Sequence, residues 1–424
     1  MIIITIYLTV LLIAPQLWIE PFVGIRVDLF IYPAWLVYLL TSGKLKNLQL
    51  TQADKYFLLM IVWIVISSFV NGLNDRSGEI IENYIKWFLL FKFVGLTVTD
   101  SDALRKVSKI LILFGLVLAV EGIQHKLSPD GIGWAGQPLG WVDPSVIEAG
   151  GTGRTQWINI FDGPGVFCVI FTLVLPFLLT YIGKPFKKST QLFAIGLTVL
   201  ILIAIFYTGS RGGFLATLAI IGIYIANKLK ISAMRISLVG GLLFMAFMLA
   251  PAYLTSLKDS NRSAQHRVDM WIEGVEMVQQ NPVFGIGKGN FARYTGRLIA
   301  HNSSIEIMGE TGIVGLFFWI ALIYVSVKSL FISYRNSELE SERALILALG
   351  ISVAGYVVSS MFVTLEYETL YFLLGLCAVY RKEAAAVLGD SGGEKIMVSK
   401  DYFRIFWMIV AWILMLKIFF KLYY

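Results

Sequence analysis

The sequence predicts an all-α integral membrane protein with about 12–13 transmembrane helices, and two observations predict this class. Hydrophobic residues make up 57% of the 424 residues and charged residues only 15%, whereas about a quarter of a typical soluble domain is charged. Apolar stretches of roughly 17–25 residues, each long enough to cross a bilayer, recur along the whole chain. A soluble globular domain does not fit this composition.

The apolar stretches give about thirteen predicted spans, the first of which starts close to Met1. This first stretch lacks a basic segment and a small-residue cleavage site, so we interpret it as a retained span and not as a signal peptide. The span centres are predicted near residues 11, 35, 64, 90, 114, 174, 200, 219, 244, 322, 354, 374 and 412.

The charges of the loops predict the orientation. Short loops rich in Lys and Arg, such as those around Lys44 and Arg105, alternate with loops of different character and are predicted to be cytoplasmic. The N-terminus then lies inside and the C-terminus outside. The net charge of +7 is spread over these short loops, which argues against a nucleic-acid partner. Cys168 and Cys377 lie inside apolar runs and indicate neither a disulfide nor a metal site.

Four regions follow from this topology. Residues 1–253 hold predicted transmembrane helices 1–9 and an outer loop, 124–164. Residues 254–302 form a second large outer loop, and 303–382 hold predicted transmembrane helices 10–12. Residues 383–424 are a polar linker and an extra C-terminal helix.

The outer loops carry more arginine than the positive-inside trend predicts, and simple solvation is one interpretation. These arginines are Arg154, Arg211, Arg262, Arg267, Arg293 and Arg297. Arg211 is the most informative because it stands in the short turn of "FYTGSRGGFLATL", beside Gly212 and Gly213. Glycine amides and the N-terminus of the next helix together favour an anion-binding nest for a phosphate. The alternative is a tight hairpin whose arginine extends to lipid headgroups.

The segment "SAQHRVDMWIEGVEMVQQNP" has apolar residues at helical spacing and ends at a proline, which predicts an amphipathic helix. Its apolar face is expected on the membrane surface or on the helix bundle. Arg267 falls in its first turns, where the helix dipole disfavours a cation unless Asp269 or a ligand diphosphate compensates it. The glycines of the following "PVFGIGKGNF" predict a turn with close backbone approach and are a weak nucleotide signal.

His301 precedes the tenth predicted span in "LIAHNSSIEIMGETGIVGL". Ser303 and Glu306 have capping-box spacing, so a helix is predicted to begin at Ser303. The positive end of that helix favours a neutral imidazole, which can accept a proton from a hydroxyl. The alternative is an interfacial histidine that only hydrogen-bonds the cap. The outer loops show no metal-ligand spacing, nucleophile elbow or Walker loop, so we expect no metal and no cofactor.

The segments "TGSRGG", "HRVDMWIEGVEMVQQNPVFGIGKGNF" and "AHNSSIEIMGETGIVGL" together resemble the O-antigen ligase and O-antigen polymerase superfamily. The resemblance implies a GT-C-like glycosyltransferase of the bacterial inner membrane, with its active site facing the periplasm and residues 254–302 as a periplasmic catalytic loop. It implies an undecaprenyl-diphosphate-linked glycan as donor and lipid A–core, a growing glycan or a protein as acceptor. Ligase, polymerase and protein O-oligosaccharyltransferase remain open, with ligase preferred.

The same resemblance implies roles for individual residues. Arg211 and Arg267 would bind the diphosphate, and His301 would act on the acceptor hydroxyl, with Asn302 of the "HN" motif in support. "GRTQWINIFDGPGVF" resembles an earlier outer-loop motif, which adds Arg154 as a diphosphate ligand and Asp162 in support. Gly163 and Pro164 depart from the usual order of that motif.

Two alternatives to an enzyme remain open from the sequence. A transporter or flippase of lipid-linked sugar would use buried charges such as Lys86 and Lys92, although these lysines can also pair with headgroups or with Glu82. A purely structural assembly partner would need neither Arg211 nor Arg267. Aromatic residues of the loops could stack on sugars or anchor at headgroups. They are Trp134, Trp141, Trp157 and Trp271.

Overall fold

The computed structural model describes residues 1–73, 75–140, 153–183, 186–231, 235, 258–296, 298–390 and 395–423. Within these ranges the chain is almost wholly helical, with two isolated β-bridges and no strand. The α-helices are α1 (Ile2–Leu8), α2 (Asp28–Thr41), α3 (Gln52–Val70), α4 (Asp75–Thr97), α5 (Ser101–Leu127), α6 (Pro164–Leu179), α7 (Lys188–Thr208), α8 (Arg211–Lys228), α9 (Lys258–Gln280), α10 (Phe291–Tyr294), α11 (Ser303–Asn336), α12 (Glu340–Ser360), α13 (Glu368–Leu376), α14 (Arg381–Val387) and α15 (Ser399–Tyr423). The predicted all-α fold is confirmed.

Helical segments cover every predicted span centre except residue 244, which lies outside the described residues. Within the described ranges, five helices are long and apolar enough to cross a membrane: α3, α7, α11, α12 and α15. Shorter apolar helices occupy Ile2–Ile13, Leu29–Thr41 and Pro164–Leu179. The chain is therefore a multi-pass membrane protein, while the total of 12–13 spans stays a prediction.

Packing centres on α6 and α11. Every residue of α6 from Val166 to Leu179 is buried, as expected for a helix that is apolar on all sides, and it packs against α5, α7, α8 and α12. The long helix α11 packs against α3, α9, α12 and α15. The predicted amphipathic helix of the second loop is α9, and its apolar face lies on α11. Of the two locations expected for this apolar face, the membrane surface and the helix bundle, the structure shows the helix bundle.

Helix α11 is broken at Gly312, whose backbone has φ 70° and ψ −174°. A side chain at Gly312 would overlap the backbone of Val283, because the glycine-rich loop 282–289 inserts at this point. Only glycine combines this backbone conformation with so close an approach. The close backbone approach predicted for "PVFGIGKGNF" is thus found against α11.

Loop 282–289 and α3 satisfy the backbone groups that the break leaves free. The bonds are Ile286 N–H to the Gly309 carbonyl (3.1 Å), Gly287 N–H to the Glu310 carbonyl (2.9 Å), Ile313 N–H to the Pro282 carbonyl (2.9 Å) and Trp63 Nε1–H to the Thr311 carbonyl (2.8 Å). The break is therefore part of the fold and does not leave these groups unpaired.

The extra C-terminal helix α15 is fixed at its first turn by the buried carboxylate of Asp401. Lys328 Nζ of α11 lies 2.5 Å from Asp401 Oδ2, and Tyr324 donates to Oδ1 at 2.8 Å. Arg404 adds a second ion pair to Oδ1 at 2.9 Å. Helix α15 is therefore packed on α11 at this end by several polar contacts.

Candidate functional site

Four segments meet at one end of the helix bundle: the stretch from residue 153 to α6, the α7–α8 turn, the 300–302 turn and the α12–α13 loop. Thr155 N–H donates to the carbonyl of Tyr207 at 3.1 Å, which joins the first two segments. Asn302 Nδ2 donates to the carbonyl of Met361 at 3.2 Å, which joins the last two. A Cβ atom built on Gly212 would stand 2.5 Å from Phe362 Cβ, so the two pairs of segments lie against each other. Residues far apart in sequence are thereby brought to one place.

Arg211 is the first residue of α8 and its side chain is exposed. Ser210 is the N-cap, and its hydroxyl accepts the Gly213 N–H at 3.1 Å. Gly212 and Gly213 are buried and helical, and added side chains there would overlap Phe362 and Cys168. The two glycines thus serve close packing, and one amide of the predicted nest is already bound by the serine.

Arg154 lies over the α7–α8 turn. A Cβ atom built on Gly209 would stand 2.8 Å from Arg154 Cδ, so the arginine stem crosses directly above that glycine. Its backbone carbonyl accepts the Gly140 N–H at 2.7 Å. The side chain keeps contact with solvent, although neighbouring atoms desolvate its guanidinium. This desolvation, and then the charge of Arg211, lower the pKa of Arg154.

Arg267 reaches the same place from α9 and is half-buried. Desolvation, followed by the positive charges of Arg154 and Arg211, lowers the pKa of Arg267 to about 10. In the part of the chain that the structure describes, Arg267 forms no ion pair with Asp269, the carboxylate that the sequence offered as its partner. The three guanidiniums therefore repel one another within one shared field.

His301 is half-buried and holds a left-handed backbone with φ 50°, which is uncommon for a residue other than glycine. Burial, and then the charge of Arg267, lower the pKa of His301 to about 4. The imidazole is therefore neutral near pH 7, as the sequence predicted. The causes found are burial and the charge of Arg267, whereas the sequence indicated the positive end of a helix.

Asn302, and not Ser303, caps α11, which does begin at Ser303. The Asn302 Oδ1 atom accepts the N–H groups of Ser304 and Ile305 at 3.1 and 3.2 Å. The predicted capping box is wrong because the Ser303 hydroxyl instead accepts the Leu365 N–H at 2.7 Å. Asn302, the residue after His301, is thus bonded to both α11 and the α12–α13 loop.

Glu306 completes the support of the turn that carries His301. Its Oε2 atom accepts the Ala300 N–H at 3.2 Å and the Thr364 hydroxyl at 2.6 Å. The carboxylate thus reaches back past His301 to the peptide before it. Asn302 and Glu306 together bond the backbone on both sides of the histidine.

Among the described residues, Arg154, Arg211 and Arg267 form no ion pair. Three cations beside a neutral imidazole make a strongly positive place that is open to solvent on one side. Such a place attracts a polyanion, because arginine binds phosphate oxygens through paired N–H donors. The geometry thus suits an anionic group next to a proton acceptor.

The other predicted residues are less central. Asp162 is exposed and makes no ion pair with the arginines. Arg293 is exposed, whereas Arg297 and Trp141 lie outside the described residues, as does the side chain of Arg262. Trp157 and Trp271 are buried, and each donates its indole N–H to a backbone carbonyl, so neither offers a face for a sugar. Trp134 is exposed and donates to Gln124 at 2.7 Å.

Sequence reasoning missed a second charged cluster, which is buried. Lys288 Nζ lies 2.5 Å from Glu310 Oε2 and 2.9 Å from Glu366 Oε2, and Tyr84 donates to Glu366 at 2.5 Å. Burial alone would lower the pKa of Lys288, but the facing carboxylates raise it above its ordinary value. Two features of the sequence could have indicated this cluster: a lysine between glycines in "GIGKGNF" and the glutamate of "MGETG".

The lysines that suggested a transporter are paired. Lys86 Nζ lies 2.7 Å from Glu82 Oε1, one of the partners that the sequence indicated. Lys92 Nζ lies 2.5 Å from the buried Asp54, on α3. Both charges are therefore compensated within the bundle.

Comparison with known proteins gives one family. Residues 196–320 match the family of O-antigen ligases, and this range includes Arg211, Arg267 and His301. The predicted resemblance to the O-antigen ligase and polymerase superfamily is confirmed. No curated protein matches the chain.

Five chains of solved structures match as well. One of them, from a peptidoglycan synthase complex, is 15% identical, covers 76% of this chain and 95% of its own, and has a TM-score of 0.41. A likeness at this level bears on neither the fold nor the function.

Proposed function

From the match to the O-antigen ligases, which supports a glycosyltransferase-type enzyme with lipid-linked glycan substrates, we propose a specific reaction. The protein moves a glycan from undecaprenyl diphosphate to an acceptor hydroxyl, of lipid A–core or a similar molecule. The reaction takes place at the periplasmic face of the inner membrane. The single observation that carries the proposal is the group of three arginines, which form no ion pair within the described part of the chain, beside the neutral His301.

The arginines bind the donor. A diphosphate carries several negative oxygens, and Arg154, Arg211 and Arg267 approach its position from three different segments. Charge-assisted hydrogen bonds to these oxygens stabilise the negative charge that grows as the diphosphate leaves. Neutralising three mutually repelling cations is itself favourable, so an empty site favours binding of an anion.

His301 acts on the acceptor. The acceptor oxygen attacks the anomeric carbon, its proton passes to the imidazole, and the bond to the diphosphate oxygen breaks with its electron pair on the leaving group. One displacement inverts the anomeric configuration. Bound diphosphate offsets the field of Arg267 and raises the pKa of His301, so the histidine becomes a stronger base once the donor is present.

Other members of the superfamily use the same chemistry with another acceptor. A polymerase would transfer to a growing O-antigen or exopolysaccharide, and a protein O-oligosaccharyltransferase to Ser or Thr. Deleting the protein and inspecting surface glycan separates the three. Free polymer on its carrier with bare core supports the ligase, shortened chains the polymerase, and unmodified glycoprotein the third activity.

The proposed reaction is tested with His301→Ala in the full-length membrane protein. We expect glycan transfer to fall by about 10²–10⁴-fold while donor binding persists, because the base is lost and the arginines remain. His266→Ala is the matched control, since His266 is an exposed histidine next to Arg267. A transporter of lipid-linked sugar would keep its activity in both variants, and unchanged transfer in His301→Ala would end the proposal.

A further inference from the structure

The peptide before His301 is held from both sides. Trp271 Nε1–H donates to the carbonyl of Ala300 at 2.9 Å, and the N–H of Ala300 is bound by Glu306. Ala300 is fully buried, so water cannot replace either partner. The orientation of the next residue, His301, thus depends on these two bonds.

Trp271 also belongs to the helix that carries Arg267. The two residues are four positions apart on α9 and therefore on the same helical face. The indole bond to Ala300 consequently fixes the distance between the diphosphate-binding arginine and the histidine. A shift of α9 relative to α11 would change the distance between Arg267 and His301.

The C-terminal helix supports the same tryptophan. The ring of Phe419 near the end of α15 lies 6.1 Å from that of Trp271, at an interplanar angle of 53°. Phe419 is buried, whereas Phe403 on the first turns of the same helix is 62% exposed. Because Asp401 fixes the other end of α15, the helix holds Phe419 against Trp271.

We propose that α15 is a positioning element of the catalytic site, acting through Phe419 and Trp271 on the peptide that orients His301. The proposal rests on the proposed function. It gives the extra C-terminal helix a role, and it makes Trp271 and Phe419 positioning residues that touch neither donor nor acceptor. Their contribution is to the geometry of proton transfer and not to donor affinity.

Trp271→Phe removes the indole N–H and keeps an aromatic ring against Phe419. We expect kcat to fall roughly 10- to 100-fold with the KM for the donor nearly unchanged, because small misplacements of a reacting group have effects of this size. Trp319→Phe is the matched control, since Trp319 is buried and its indole N–H has no partner in the described part of the chain. Equal kcat values in the two variants would overturn the proposal.

Phe419→Ala should lower kcat in the same way and Phe403→Ala should not. Combining Trp271→Phe with His301→Ala separates positioning from general damage. The residual rate of His301→Ala should be unaffected by the second change, whereas a merely structural role would lower it further. An inactive His301→Ala with a fully active Trp271→Phe overturns only this inference; a fully active His301→Ala overturns the proposed function itself.

Discussion

The molecule contains two groups of charges that differ in nearly every respect. At the open end of the bundle Arg211 and Arg267 share one field and form no ion pair among the residues that the structure describes, whereas Lys288 is buried between Glu310 and Glu366. Buried charges must be paired to be tolerated, so the second group is a structural solution. Cations left unpaired at an exposed place are instead available to a ligand. Both groups contain cations, so the presence or absence of a paired carboxylate distinguishes the structural group from the candidate binding group.

The largest expected effect is on the buried group. Lys288→Ala leaves Glu310 and Glu366 buried without their cation, so we expect the free energy of unfolding to fall by about 3–5 kcal/mol. Thermal or denaturant unfolding in detergent measures it. Glu82→Ala is the control, because it breaks the more exposed pair with Lys86, which is worth about 0.3–0.5 kcal/mol. Equal losses in the two variants would contradict the assignment of Lys288 to the structure.

A smaller effect is expected at the open group, and on activity instead of stability. Arg211→Ala should lower kcat/KM for glycan transfer about 10²–10³-fold, because one donor of positive charge to the leaving diphosphate is lost. Stability should change little, since Arg211 is exposed and makes no ion pair among the described residues. Arg293→Ala, which removes an exposed arginine of α10, should keep full activity. An inactive Arg293→Ala or a fully active Arg211→Ala would contradict the proposed role of Arg211 in binding the diphosphate.

The smallest effect is on pH dependence. Because burial and Arg267 lower the pKa of His301 to about 4, the free enzyme keeps its base neutral well below pH 6.5, and kcat/KM should stay level from pH 8 to about pH 5. Arg267→Gln removes a neighbouring cation and should raise the pKa of His301. The acid limb of kcat/KM then moves to higher pH. A limb that stays in place, or moves to lower pH, would show that Arg267 does not act on the histidine.

Local patterns were enough to locate the helices and the residues that the structure brings together at the candidate site. Long apolar stretches predicted the spans, and α11 was expected to begin at Ser303, where it does begin. Helix α8 begins at Arg211, slightly earlier than the end of the predicted turn. The neutral state of His301 was also predicted, since a helix end is visible in sequence. The helix starts depend on neighbours within a few positions along the chain, whereas the lowered pKa of His301 depends on burial and on Arg267 of another helix.

Long-range contacts account for what the sequence could not predict. Ser303 has the spacing of a cap, yet its hydroxyl is bound by the Leu365 N–H, some sixty residues away. The sequence predicts Gly213 as part of an anion-binding nest, whereas the structure shows this glycine packed against Cys168. The partners of Lys288 lie on two other segments, and only folding shows that they meet.

The break at Gly312 has a mechanical consequence. Helices that cross a bilayer tilt and slide as its thickness changes, and an uninterrupted helix would carry such motion to its end. Here the backbone ladder of α11 stops after Thr311, and the segment before it is bonded to loop 282–289 and to α3. We expect the long lipid-crossing part to lean as the surrounding membrane thins or thickens, while the nine residues from Ser303 to Thr311 stay in register with the loop. The bond from Ile313 N–H to the Pro282 carbonyl keeps the two parts joined, so the break should reduce, without abolishing, the motion that reaches the turn of His301.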